Sequence, residues 1–204
     1  MKKLTSILLA SIFILVMAAC SSASSSLPKN EIAPATLSEE QQEIIDLLSV
    51  PNNQELMLFD FATDEPYRGL EVWVEVYQNG ELIERPAGIN TFNNIAEKRN
   101  GRIAIVISQN DNTYEWTISV VENGGRAYHV GTSEMPADFT GGRAYGLMDD
   151  SAAVENGKEI IIYSSTFMEA NAPHQAYDEQ TLMEQPEILS QFSYAQLIKC
   201  RFSN

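Results

Sequence analysis

Cysteine, histidine and positive charge are what this chain has least of. Its 204 residues include two cysteines, two histidines and only 13 lysines and arginines against 28 aspartates and glutamates. The formal charge of −15 repels nucleic acid, so no nucleic-acid partner is expected. The histidines, His129 and His174, stand far apart, and neither has a second ligand at metal-binding spacing. Asn110-Asp111-Asn112 resembles the start of a calcium loop, but the later glycine and bidentate glutamate are missing, so it reads as a turn. No metal and no cofactor is expected. There is no Gly-x-Ser-x-Gly elbow, no Ser-x-x-Lys, no P-loop and no dinucleotide-binding glycine pattern. Nor do strands alternate with helices, which excludes a parallel sheet built from βαβ units.

Strands dominate what remains. Residues 56–61 are apolar on both faces. Residues 70–77 alternate: Leu70, Val72, Val74 and Val76 face one way, with Glu71, Trp73, Glu75 and Tyr77 opposite. Asn79-Gly80 suits a type I′ hairpin turn into a strand over 81–84. Further strands fall at 102–108, 114–121, 126–131, 143–148, 159–167 and 194–202, most of them after Asn- or Gly-rich turns. Residues 86–101 read as a longer loop with a helical turn near 93–98. Ser38-Glu39-Glu40-Gln41 is a capping box opening a helix whose apolar face is Ile44, Ile45, Leu47 and Leu48. A second helical stretch, interrupted before Pro186, spans 177–192. The expectation is a mainly β fold: an antiparallel β-sandwich of about eight or nine strands with a helix near each end, the alternative being a partly open β-barrel.

The first twenty residues have a different character. Lys2 and Lys3 precede an apolar run, densest over 7–19, that is too short to span a bilayer comfortably and ends in Met17-Ala18-Ala19-Cys20. Small residues before a cysteine at that point resemble the lipobox of bacterial lipoproteins. The resemblance implies cleavage before Cys20, a diacylglyceryl group on its thiol, and a mature protein held by lipid on the extracytoplasmic face of the cell membrane, or in the outer membrane where the organism has one. Two acyl chains suffice for stable anchoring at about 0.8 kcal/mol per buried methylene. Cleavage would remove Lys2 and Lys3 and take the charge from −15 to −17. It would leave Cys200 without a disulfide partner.

The expected organisation is therefore a signal peptide over 1–19, a lipidated cysteine with a flexible tether over 20–37, and one β-sandwich domain over 38–204. The serine-rich tether, about 18 residues in the coil regime, would span roughly 25 Å and hold an acidic body clear of the headgroups.

Site candidates are few. Trp73 and Tyr77, on the more polar face of their strand, suit stacking on a sugar or an apolar ring, with Glu71 and Glu75 beside them. Gly124-Gly125-Arg126-Ala127-Tyr128 recurs as Gly141-Gly142-Arg143-Ala144-Tyr145, so Arg126 and Arg143 are candidates for holding a carboxylate or phosphate. Cys200 sits on an apolar strand face and reads as inert. Asp149-Asp150 is one of many possible carboxylate pairs and singles out nothing. No catalytic residue is assigned. The body resembles the β-rich surface lipoproteins of undefined activity. The expectation is a non-enzymatic module of the cell envelope that binds a ligand or an envelope protein. The alternatives are an envelope hydrolase acting on glycan or peptide, and an accessory subunit of an envelope complex.

Overall fold

A computed structural model describes residues 30–47, 53–122, 124–136, 141–169 and 177–204. Residues 1–29, with the apolar leader and Cys20, lie outside these, as does His174.

Period-two patterning becomes two antiparallel six-stranded sheets packed face to face. The strands are β1 (Glu31–Pro34), β2 (Gln54–Ala62), β3 (Tyr67–Gln78), β4 (Glu81–Glu84), β5 (Gly88–Glu97), β6 (Asn100–Asn110), β7 (Thr113–Glu122), β8 (Gly125–Glu134), β9 (Gly142–Leu147), β10 (Ala152–Ala153), β11 (Glu159–Met168) and β12 (Tyr194–Ser203). The first sheet runs β10-β1-β2-β6-β7-β8. The second runs β4-β3-β12-β11-β9, and β5 also pairs with β3. Strands β4 and β5 share that edge of β3: β4 takes the end near Gln78, β5 the end from Tyr67 to Trp73. The sheets do not close into a barrel.

All nine expected strands are present, and β1, β5 and β10 are additional. Residues 88–97, expected as loop, are a strand because they complete the open edge of β3, with Asn90 opposite Glu71 and Gly88 opposite Trp73. Strand β1 lies inside the stretch expected to be tether. Ile32 is fully buried and β1 pairs on both sides, with β2 and β10, so the ordered body begins by Glu31 rather than at 38.

The core between the sheets is built from the expected faces. Leu70, Val72, Val74 and Val76 of β3 are fully buried, opposed by Phe59, Phe61, Ile103, Ile105, Trp116 and Ile118 of the first sheet. Phe202 packs edge-on to Phe61 and Tyr67 where the two sheets meet. The Asn79-Gly80 turn has φ of 51° and 82°, the left-handed region that asparagine and glycine tolerate best. At Gly131 of β8, an added Cβ would lie 2.0 Å from the Pro86 carbonyl oxygen, so glycine lets the two sheets approach at this seam.

Helix α1 (Glu39–Leu47) starts at the expected capping box: the Gln41 N–H donates to Ser38 Oγ and the Ser38 N–H to Gln41 Oε1. None of its residues is buried, and Leu47 is 81% exposed, so its apolar face does not join the core. Helix α2 (Glu179–Glu184) and the 3-10 turn Pro186–Gln191 behave differently. Leu182, Ile188, Leu189 and Phe192 form a second apolar cluster with Ile161, Met168, Ala195 and Leu197 on the outer face of the second sheet. That covers one half of the face and leaves the other half open.

Candidate functional site

The open half of that outer face carries the site. Alternation on β3 directs Glu71, Trp73, Glu75 and Tyr77 outward, and antiparallel register sets Lys199 of β12 beside Trp73 and Arg201 beside Glu71. Glu159 enters from β11, opposite Arg201. Arg85 follows β4 and turns back over the sheet.

Glu75 is the centre. It is 2% exposed and its carboxylate takes four donors: Trp73 Nε1 at 3.0 Å, Tyr77 Oη at 2.6 Å, Arg85 Nη2 at 2.5 Å and Lys199 Nζ at 2.8 Å. Burial alone would raise its pKa. Hydrogen bonds from Lys199, Tyr77 and Trp73, with the Lys199 charge, outweigh this and bring it down to about 2. Burial and the same carboxylate push the Tyr77 phenol up, so it stays a donor. Lys199 also reaches Glu159 at 3.1 Å, and Arg201 pairs with Glu71 at 2.5 Å. Asn90 Nδ2 donates to the other Glu71 oxygen at 3.3 Å.

Two guanidinium groups flank the indole. Arg85 Cζ lies 5.8 Å and Arg201 Cζ 5.5 Å from the centre of the Trp73 ring, within cation–π range. Between them opens a cleft of about 360 Å³ lined by Glu71, Trp73, Arg85, Gly88, Asn90, Glu159 and Arg201. Within the network, three carboxylates face three cations, so it is close to neutral on an acidic protein. The Arg85 side chain is 57% exposed and is the loosest member.

Sequence reasoning placed Trp73 and Tyr77 together, and the structure joins both to Glu75. It corrects their solvation, however. Trp73 is only 8% exposed, because Arg85 and Arg201 lie over it, and Tyr77 packs against the cluster beneath the 3-10 turn and α2. Arg126 and Arg143 do not join them. Arg126 sits on the outer face of the first sheet, 5.6 Å over the ring of its own neighbour Tyr128. Arg143 turns between the sheets, where it binds Glu55 at 2.8 Å, Ser165 Oγ at 2.7 Å and Tyr163 Oη at 2.5 Å. The residues missed by sequence reasoning are Arg85, Lys199, Arg201 and Glu159. Lys199 and Arg201 alternate with Ile198, Cys200 and Phe202, and that pattern already turned them away from the core.

Elsewhere, Cys200 is fully buried, and burial pushes its thiol up to about 12, which fits the expected inertness. His129 accepts a hydrogen bond from the Gly88 N–H at Nδ1. Among the described residues no group of His, Cys, Asp or Glu could hold a metal ion, and no helix is long and apolar enough to cross a membrane.

The YgaN domain family matches residues 31–198, from the first strand to the middle of the last, and the chain belongs to that family. No curated protein and no solved structure matches it.

Proposed function

We propose that this YgaN-domain protein is an extracytoplasmic lipoprotein, held in the membrane by a diacylglyceryl group on Cys20, whose sandwich binds a small polar ligand at the Trp73 cleft without turning it over. The anchor rests on the sequence: a basic start, an apolar run over 7–19, and Met17-Ala18-Ala19-Cys20 at its end. Binding rests on one observation, the Glu75-centred cluster beside an open cleft. An indole, two guanidinium groups, two carboxylates and an amide converge there on about 360 Å³, a volume at the lower end of small-molecule sites.

The charge balance selects the ligand class. With Glu71 and Glu159 facing Arg85 and Arg201, a polyanion gains little and a polycation gains little. A hydroxylated or zwitterionic ligand, such as a sugar or a short peptide segment, finds donors and acceptors on both sides. Because Arg85 is mostly in solvent, it can swing off Trp73 and return over a ligand stacked on the indole.

Two experiments test the two halves. Cys20→Ala moves the protein from the membrane fraction to the soluble fraction; full retention of the variant with membranes contradicts the anchor. In calorimetry against a panel of envelope glycans and short peptides, one class binds saturably, and Arg85→Ala, which stays folded, weakens it at least tenfold. Turnover of any panel member that is abolished by a single acidic substitution replaces binding with hydrolysis.

A further inference from the structure

One end of the sandwich exposes two large apolar side chains, one of them, Phe92, lying against Gly69 of β3. Phe92 is 60% exposed and Ile95 is 79% exposed, both on β5. Between Phe92 and Glu97 the register of β5 shifts, with Ile95 inside the bulge: Phe92 is opposite Gly69, but Glu97 is already opposite Tyr67. Single exposed hydrophobics are ordinary on a soluble protein. What distinguishes this pair is its position.

The pair lies at the end of the body where the chain arrives from Cys20. Asn30 Oδ1 accepts hydrogen bonds from the Asp64 and Glu65 N–H groups in the turn between β2 and β3. Tyr67 follows that turn directly and pairs with Glu97. Lys98, next along, reaches Asp64 at 3.3 Å. The Asn30 end, the β2–β3 turn and the β5–β6 corner are therefore one end of the sandwich. The Asn79-Gly80 turn and Asn112 belong to the other, where Gln78, Ile83, Asn112 and Tyr194 lie together.

Chain length then orients the body. Nine residues lie between Cys20 and Asn30, so the ten steps from one to the other reach roughly 35 Å at most. Strand β3 has 12 residues, so the sandwich is roughly 40 Å long. A body anchored at Cys20 keeps its Asn30 end near the bilayer and its far end away from it. We infer that Phe92 and Ile95 insert into the interfacial region of the membrane as a second, shallow contact beside the lipid anchor. The inference rests on the anchoring proposed above and replaces the expectation that a tether over 20–37 holds the body clear of the headgroups, because β1 starts the body at Glu31.

The local charges permit this. Arg68 and Lys98 are exposed at the same end and can meet lipid phosphates, while Asp64, Glu65 and Glu97 limit the attraction. The contact is therefore apolar in origin. It adds to an anchor that already holds the protein, so its role is orientation: it fixes which faces of the sandwich look along the membrane and which look outward.

The test uses full-length protein purified from membranes, with the lipid on Cys20 verified by mass, and reconstituted into phosphatidylethanolamine–phosphatidylglycerol vesicles whose acyl chains carry bromine near the headgroup. Phe92→Trp and Ile95→Trp report from the near end and Ile83→Trp, at a side chain 49% exposed, from the far end. The native indoles Trp73 and Trp116 are 8% and 0% exposed and give a constant background. The expected result is a blue shift and loss of emission for both near-end indoles and neither change for Ile83→Trp. Equal quenching at both ends, or none at the near end of a lipidated protein, overturns the contact and leaves the anchor standing. A blue shift of Phe92→Trp in detergent without lipid, rising with protein concentration, assigns the pair to a second copy of the chain and also overturns it. Absence of lipid from Cys20 overturns contact and anchor together.

Discussion

Two charge clusters in this molecule use the same chemistry to opposite ends. At the β5–β6 corner, Arg99 is fully buried. Its guanidinium donates to both oxygens of Glu122, to the carbonyls of Arg68 and Thr91, and to Thr91 Oγ1. Glu122 is 14% exposed, so both partners are sealed. On the outer face, Glu75 is almost as buried and as fully satisfied, but one of its partners, Arg85, is 57% exposed and borders a cleft. Satisfaction of hydrogen bonds therefore does not separate the Arg99 cluster from the one proposed to bind a ligand. The freedom of the partners does: the Arg99 pair has nowhere to send its charge, whereas on the proposed reading the solvated Arg85 can be exchanged for a ligand.

The largest expected effect breaks the sealed side. Arg99→Met leaves Glu122 without its ion-pair partner and three other acceptors without their donor, and lowers unfolding stability by about 3–5 kcal/mol, the usual loss when one partner of a buried pair is removed. Adding Glu122→Met recovers a large part of it, because the uncompensated carboxylate goes too. Urea unfolding of the two variants checks this. A loss under about 1 kcal/mol for Arg99→Met would place that corner in solvent and erase the contrast.

Glu75→Gln comes second. The amide keeps the shape but loses the charge that Lys199, Tyr77, Trp73 and Arg85 all address, a destabilisation of about 1–3 kcal/mol near neutral pH. Its pH dependence is more specific. The folded-state pKa, about 2, lies below the ordinary value of 4.5, so the contribution is complete above about pH 4.5 and is lost as the pH falls through 2. Stability of the natural protein should therefore decline over that window, and the decline should be shallower in Glu75→Gln. Equal acid limbs in the two proteins would mean that Glu75 carries no depressed pKa.

Much of this was legible in the sequence, and the illegible part has one physical cause. Alternation revealed β3, β7 and β12, together with the inward set on β3 and the outward set that contains the candidate site, but not β1, whose buried Ile32 lay in a stretch read as tether. Asn-Gly turns and the Ser38 capping box were legible because their chemistry is local. Strand β5 was not: Gly-Ile-Asn-Thr-Phe-Asn-Asn-Ile lacks a clean period, and it is a strand because β3 offers an edge and Arg99 holds Thr91. Arg201 was equally hidden from Glu71, since their salt bridge spans 130 residues and exists only through the β3–β12 register. Helix α1 shows the converse. Its propensity and cap were legible, yet an apolar stripe promises a core only when another element arrives to cover it.

The smallest effects come from the repeated pentapeptide, and they sharpen the same contrast. Arg126 and Arg143 occupy equivalent places in Gly-Gly-Arg-Ala-Tyr, and each follows glycines into a strand. The strands belong to different sheets, and Arg143, opposite Phe167, faces inward where Arg126, opposite Val121, faces solvent. Arg143 ties β9 to β2 through Glu55 and lies 5.9 Å from the Tyr114 ring and 5.7 Å from that of Phe167. Among the described residues, Arg126 reaches only Ser119 at 3.3 Å and the Tyr128 ring. Arg143→Ala should therefore lower stability by about 1–3 kcal/mol, the range for losing charged hydrogen bonds in a partly buried site. Arg126→Ala should change it by no more than about 0.5 kcal/mol, as surface substitutions do. Equal losses would mean that the shared five residues, rather than the sheet each arginine enters, determine what it does. The environments predict the unequal result, because the pentapeptide specifies a turn and a strand but not which side of that strand the rest of the chain will cover.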